Sequence, residues 1–128
     1  MKLLLDTHVF LWLMENPGKA SPAALAACED AANSLFLSVV SIWELQIKLA
    51  TGKLTLKQQL QGIVEDQQRN NRLEMLPVRM PHLWALPGLP ALHGDPFDRM
   101  LVAQAGVEDM FLVTADRALT NYPVQVLW

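Results

Sequence analysis

Met1-Lys2-Leu3-Leu4-Leu5-Asp6-Thr7 opens the chain, and its reading decides the fold. Three leucines in a row, closed at once by an acid, match a short buried strand. A helical pattern follows immediately, with Val9, Phe10, Leu11, Leu13 and Met14 apolar. It predicts a helix from Thr7 to Glu15, ended by Asn16-Pro17-Gly18. Asp6 therefore stands where a strand passes into a helix.

The same step recurs along the chain. Leu35 to Val40 reads as a second strand, and Ser41 caps a helix that carries Glu44 and runs to Thr51-Gly52. Met110 to Thr114 reads as a fourth strand, followed by Asp116 and a short helix from Arg117 to Asn121. Asp95-Pro96 opens a buried helix to Val107, with Asp98 in its first turn. Between these lie an alanine-rich helix from Ser21-Pro22 to about Ala32, an amphipathic helix from Leu56 to about Asn70 and a third strand from Leu73 to Val78. The proline-rich stretch Pro81 to Pro90 holds at most a short helix near His82 to Leu86, and Val124 to Trp128 offers an edge strand. Strands alternating with helices predict an α/β fold: a mostly parallel sheet of four to five strands, covered on both faces, with right-handed crossovers. The 128 residues make one domain, 1–128.

In such a sheet all strand-to-helix junctions share one edge, where ligands bind. Asp6, Glu44, Asp98 and Asp116 would converge there. Clustered carboxylates without matching bases call for a cation, and hard oxygen donors suit Mg²⁺ or Mn²⁺. Carboxylate-held metal points to phosphoryl chemistry. Each acid also has a plainer reading as a helix cap. Asp95-Pro96 fits an N-cap followed by proline, and Ser41-Ile42-Trp43-Glu44 fits a capping box.

Composition narrows the field. The net charge is −3, but without Asp6, Glu44, Asp95, Asp98 and Asp116 it is +2. Phosphate contacts could then come from a few of Lys48, Lys53, Lys57, Arg99 and Arg117, and they would be salt-sensitive. A single cysteine, Cys28, excludes an internal disulfide and a cysteine-based zinc site. No apolar run reaches membrane-spanning length and the N-terminus lacks the features of a signal peptide, so a cytoplasmic location is expected. The apolar content of 52% hints at a partner surface, and a helix at 42–50 apolar on several faces fits either a buried central helix or a surface for a partner helix.

Four segments together resemble the motifs of the PIN-domain family, and within it the VapC-type toxins of bacterial toxin–antitoxin pairs. They are Leu4-Leu5-Asp6-Thr7-His8, Ser41-Ile42-Trp43-Glu44, Asp95-Pro96-Phe97-Asp98-Arg99-Met100-Leu101-Val102-Ala103-Gln104-Ala105 and Thr114-Ala115-Asp116. The resemblance spans the chain, and Asp-Pro-Phe-Asp-Arg is its most specific part. It implies a three-layer α/β/α fold and an endoribonuclease dependent on one or two Mg²⁺ or Mn²⁺ ions. It also implies a homodimer silenced by a cognate antitoxin, with RNA (transfer RNA among the options) as substrate.

The family's acidic site carries over to Asp6, Glu44, Asp98 and Asp116 as catalytic and metal-holding residues. Asp95 takes a supporting or capping role. Thr7, Ser41 and Thr114 are suited to orienting those acids, and Arg99, Arg117 and Lys48 are RNA-binding candidates. His8 and His93 lack metal-ligand spacing to another His or Cys and fit loop or core roles; Trp12, Trp43 and Trp84 fit packing.

Two other function classes compete. A metal-dependent phosphatase or phosphotransfer domain also gathers acids at strand ends, but no lysine follows Lys57, and the position two after Asp6 is His8. A non-catalytic interaction module would use the acids only as caps, and would show no specific Mn²⁺ binding.

Overall fold

The computed structural model describes residues 1–92 and 94–128. Among them, five strands form one sheet: β1 (Lys2–Leu5), β2 (Ser34–Ser38), β3 (Glu74–Leu76), β4 (Phe111–Val113) and β5 (Val126–Leu127). Their order is β3-β2-β1-β4-β5. Every pairing is parallel, with Leu5 opposite Leu37 on one side and Val113 on the other. The helices are α1 (Thr7–Glu15), α2 (Pro22–Glu29), α3 (Val39–Ala50), α4 (Leu60–Asn70), α5 (Met80–Ala85) and α6 (Pro96–Val107). Short 3₁₀ turns occupy Pro17–Lys19, Leu86–Gly88 and Arg117–Asn121.

The three leucines that open the chain lie at the sheet's centre, at most 2% exposed. Side chains alternate across a strand, so they divide between two cores. Leu3 and Leu5 join Val9, Phe10, Leu37, Leu45 and Ile63 on one side. Leu4 joins Leu101, Val102, Ala105 and Leu112 on the other. This gives the three layers.

Strand order reverses beside β1. The chain builds β2 and β3 outward on one side, then β4 and β5 on the other. The gap beyond the carboxyl ends of β1 and β4 is thus the topological switch point, where open α/β sheets bind ligands.

Several boundaries differ from the sequence reading. The second strand stops at Ser38, and Val39 and Val40 already belong to α3. Ser38, not Ser41, is the cap: its hydroxyl accepts from the Val40 amide at 3.1 Å. The capping-box reading of Ser41 and Glu44 therefore fails. Helix α4 starts at Leu60 rather than Leu56, because Leu54 and Leu56 pack on the core from outside any helix. The short helix after Asp116 is a 3₁₀ turn.

Candidate metal centre

The structure sorts the acids by what their side chains do. Asp6 occupies the N-cap position of α1 yet makes no capping hydrogen bond. Its Oδ2 instead accepts from the Thr114 hydroxyl at 2.7 Å. Glu44 lies in the second turn of α3 and caps nothing; its Oε2 pairs with Lys48 Nζ at 3.0 Å. Both residues are buried, at 5% and 6% exposure, and Asp6 Oδ1 and Glu44 Oε1 have no hydrogen-bond partner among the described residues.

Asp95 is a cap, as its sequence context predicts. Its Oδ1 accepts from the amides of Phe97 (2.8 Å) and Asp98 (3.3 Å). This fixes the first turn of α6 and sets Asp98 in place. Asp116 caps the final 3₁₀ turn through the Ala118 amide at 2.9 Å.

The charge of each of the other acids is felt at Asp98. Burial pushes the Asp98 carboxyl up to about 7, and the charges of Asp6, Asp95, Glu44 and Asp116 add to that push. Burial also raises Asp6. The Thr114 hydroxyl, the charge of His8 and the Thr7 amide pull it partly back, while Glu44 repels it.

Hydroxyl groups brace the cluster from behind. Thr114 Oγ1 accepts from the Asp116 amide at 3.0 Å while donating to Asp6, so one threonine ties the β1 and β4 acids together. Thr7 donates to the Ser41 hydroxyl at 2.8 Å, joining α1 to α3 beside Asp6 and Glu44. All three hydroxyl residues are buried.

The three basic candidates separate. Lys48 is engaged with Glu44. Arg99 turns to the protein, donating to the carbonyls of Pro90 (2.8 Å) and Leu86 (3.3 Å) and to the Tyr122 hydroxyl (3.4 Å). It acts as a clamp on the segment before α6, a role sequence did not reveal. Arg117 is exposed beside Asp116.

His8 is exposed at the edge of the cluster, and His93 lies outside the described residues. The packing reading of the tryptophans holds only for Trp12, which is partly buried against the core. Trp84 is 72% exposed. Trp43 is 63% exposed and meets Phe97 in a T-shaped contact, at 5.2 Å between centroids.

Among the described residues, no three acids stand close enough to grip an ion as they are arranged. The donor chemistry nevertheless fits a divalent cation. Two anionic oxygens are buried without a partner, which is costly unless a positive group meets them. The donors are all oxygens, which suits Mg²⁺ or Mn²⁺ and not a soft metal. A groove of about 700 Å³ lies elsewhere and is lined by Phe10, Leu13, Met14, Leu25 and Leu73. It holds none of the four acids, so volume alone does not mark the chemistry.

The PIN domain family model matches residues 3–124. The chain belongs to the PIN-domain family. It is 33% identical over 127 residues to ribonuclease VapC22 of Mycobacterium tuberculosis, covering 94% of this chain and 91% of that protein. Among solved structures it resembles VapBC2 of Rickettsia felis bound to a promoter DNA fragment, with a TM-score of 0.72, 19% identity and coverage of 100% and 98% of the two chains. DNA-bound VapBC of Salmonella typhimurium follows at 0.68 and 16%, covering 100% and 97%. At these identities the two structures speak for the PIN fold, and the family model and the mycobacterial relative for membership.

Proposed function

We propose that this PIN domain, occupying residues 1–128, is the toxin of a toxin–antitoxin pair and acts as an endoribonuclease dependent on Mg²⁺ or Mn²⁺. The observation that carries the reading is the pair of buried, unpartnered oxygens on Asp6 and Glu44, in a cluster that also presses on Asp98. The mycobacterial relative, named as a ribonuclease, supports the activity, and the VapBC complexes among its structural neighbours support an antitoxin partner.

Asp6, Glu44, Asp98 and Asp116 would hold the metal, one or two ions. When bound, it would activate water and stabilise charge on a phosphodiester. Thr114 and Asp95 set the carboxylates of Asp6 and the backbone of Asp98, respectively. Thr7 and Ser41 keep α1 and α3 at a fixed spacing. Arg117 offers an RNA contact. The exposed apolar residues Val39, Trp43 and Ile47 recur every four positions along α3 and share one face. Such a face suits a second copy or the antitoxin. No helix among the described residues is long and apolar enough to cross a membrane, and a cytoplasmic site of action agrees with an RNA target.

A capping-only interaction module fits less well, because neither Asp6 nor Glu44 caps a helix. The deciding experiment compares Asp98→Asn with Asp95→Asn. With Mn²⁺, Asp98→Asn should abolish RNA cleavage while the fold stays intact. Asp95→Asn should keep much of it, since asparagine caps as well as aspartate. Equal loss in both, or cleavage that persists in EDTA, would overturn the proposal. Sequencing RNA ends after brief induction would identify the substrate.

A further inference from the structure

Ser41, Glu44 and Lys48 lie three and four residues apart on one face of α3. Ser41 is fixed by the Thr7 hydroxyl. Glu44 is buried, its side chain 8% exposed, whereas the Lys48 side chain is 29% exposed and reaches back along the helix to Glu44 Oε2. The other oxygen, Oε1, is buried and has no hydrogen-bond partner among the described residues.

We infer that Lys48 is a positioning residue for Glu44: it anchors one carboxylate oxygen so that the other stays turned into the acidic cleft, and it does not contact RNA. The inference rests on the ribonuclease reading and deepens it.

Three physical points support it. The last torsion of a glutamate side chain is broad and roughly two-fold, so an unanchored carboxylate would turn freely between its two faces. Lys48 supplies the restraint on Oε2, and nothing hydrogen-bonds Oε1. Second, exposed ion pairs one helical turn apart are weak, but here the acid is buried. Removing the lysine would leave an uncompensated charge beside Asp6 and Asp98, which is far more costly. Third, a lysine that left Glu44 to meet a phosphate would create that same stranded charge. Its place in the cluster therefore favours holding the acid over binding the substrate.

The test uses Lys48→Met and Lys48→Arg in the full chain, with Glu44→Gln as a second background. Lys48→Met should lower kcat about 10- to 100-fold, the usual loss when a group supporting a metal ligand is removed. KM should hold. Lys48→Arg, which can still reach the carboxylate, should recover most of kcat. In EDTA the salt dependence of RNA binding should match the parent's. A slope shallower by ~0.7, one lost phosphate contact on a single strand, would make Lys48 an RNA contact and overturn the inference.

Melting of the metal-free proteins gives a readout independent of cleavage. Lys48→Met should lower Tm by several degrees when Glu44 is present and have almost no effect in Glu44→Gln. Equal shifts in both backgrounds would overturn the inference whatever the nuclease result. A parent protein that cuts no RNA, yet shows the coupled melting, would leave the ion pair standing and sink the ribonuclease reading alone.

Discussion

Thr114 and Asp6 are 108 residues apart in sequence and meet at 2.7 Å, with the threonine hydroxyl donating to Asp6 Oδ2. The same oxygen of Thr114 accepts from the Asp116 amide. One buried side chain thus sets the acid that ends β1 and the backbone of the acid that follows β4, across the switch point of the sheet.

Thr114→Val tests this link. Valine keeps the shape but removes the hydroxyl, so Asp6 Oδ2 loses the Thr114 donor and the Asp116 amide loses the Thr114 acceptor. A buried group so stranded costs about 1–3 kcal/mol. Calorimetry should show a lower Tm, and cleavage should fall about 10- to 100-fold. Thr114→Ser, which keeps the donor, should stay near the parent in rate. If valine is as active as serine, the hydrogen bond does not position Asp6.

The strand–acid–helix rhythm was readable because it depends on local chemistry. Apolar runs such as Leu3-Leu4-Leu5 and Phe111-Leu112-Val113 have no alternative partner but a core, and Asp95-Pro96 is a strong helix start that α6 follows from Pro96 to Val107. The start of α3 was misread because two serines competed for one cap. Ser41 with Glu44 matches the stronger sequence pattern. Tertiary structure decides otherwise by engaging Ser41 with Thr7 and leaving Ser38 to cap. Arg99 was out of reach for a similar reason: two of its three acceptors are backbone carbonyls, which carry no residue-type signal. The exposure of Trp43 and Trp84 was equally hidden, since residue type does not say what covers a side chain. The Lys48–Glu44 pair did have a signal, the i,i+4 spacing of opposite charges on a helix.

The acidic site should leave a pH signature. Asp98 is pushed up to about 7 and Asp6 is also raised, so the folded protein favours their protonated forms. The stability they contribute is full below the ordinary carboxyl pKa of about 3.9. It is lost as pH rises through the folded value, about 7 for Asp98. In EDTA, the protein should therefore melt lower at pH 8 than at pH 6. Metal requires the deprotonated carboxylates, so the Mn²⁺-induced rise in Tm should be larger at pH 8. A Mn²⁺ effect of equal size at both pH values would count against these acids as the binding site.

Asp6→Asn separates function from stability. Asparagine can still accept from Thr114, while the buried charge and its repulsion with Glu44 are gone. The metal-free variant should melt at or above the parent temperature at pH 7. It should lose most of its cleavage and most of the Mn²⁺ stabilisation, which for the parent is about 2.7 kcal/mol at a hundredfold excess over Kd. Functional sites often carry such a trade-off. A marked loss of metal-free stability would show that Asp6 serves the fold first.

Arg99 and Arg117 each follow an acid of the site, and the structure gives them different surroundings. Arg99 spends its guanidinium on the carbonyls of Leu86 and Pro90 and on Tyr122. Arg99→Met should therefore cost about 1.5–3 kcal/mol of stability, as expected for hydrogen bonds from a charged group, and lower Tm by roughly 5–11 °C. The salt dependence of its RNA binding should not change. Arg117 is exposed, and its substitution by alanine should leave Tm within about a degree, as for surface positions in general. If it meets a phosphate, RNA binding weakens and the slope against salt falls by ~0.7 for a single strand. Melting curves and salt-titrated RNA binding in EDTA measure both effects on the same proteins. A reversed result, with Arg99→Met stable but weak in binding and Arg117→Ala unstable, would overturn the division between clamp and contact.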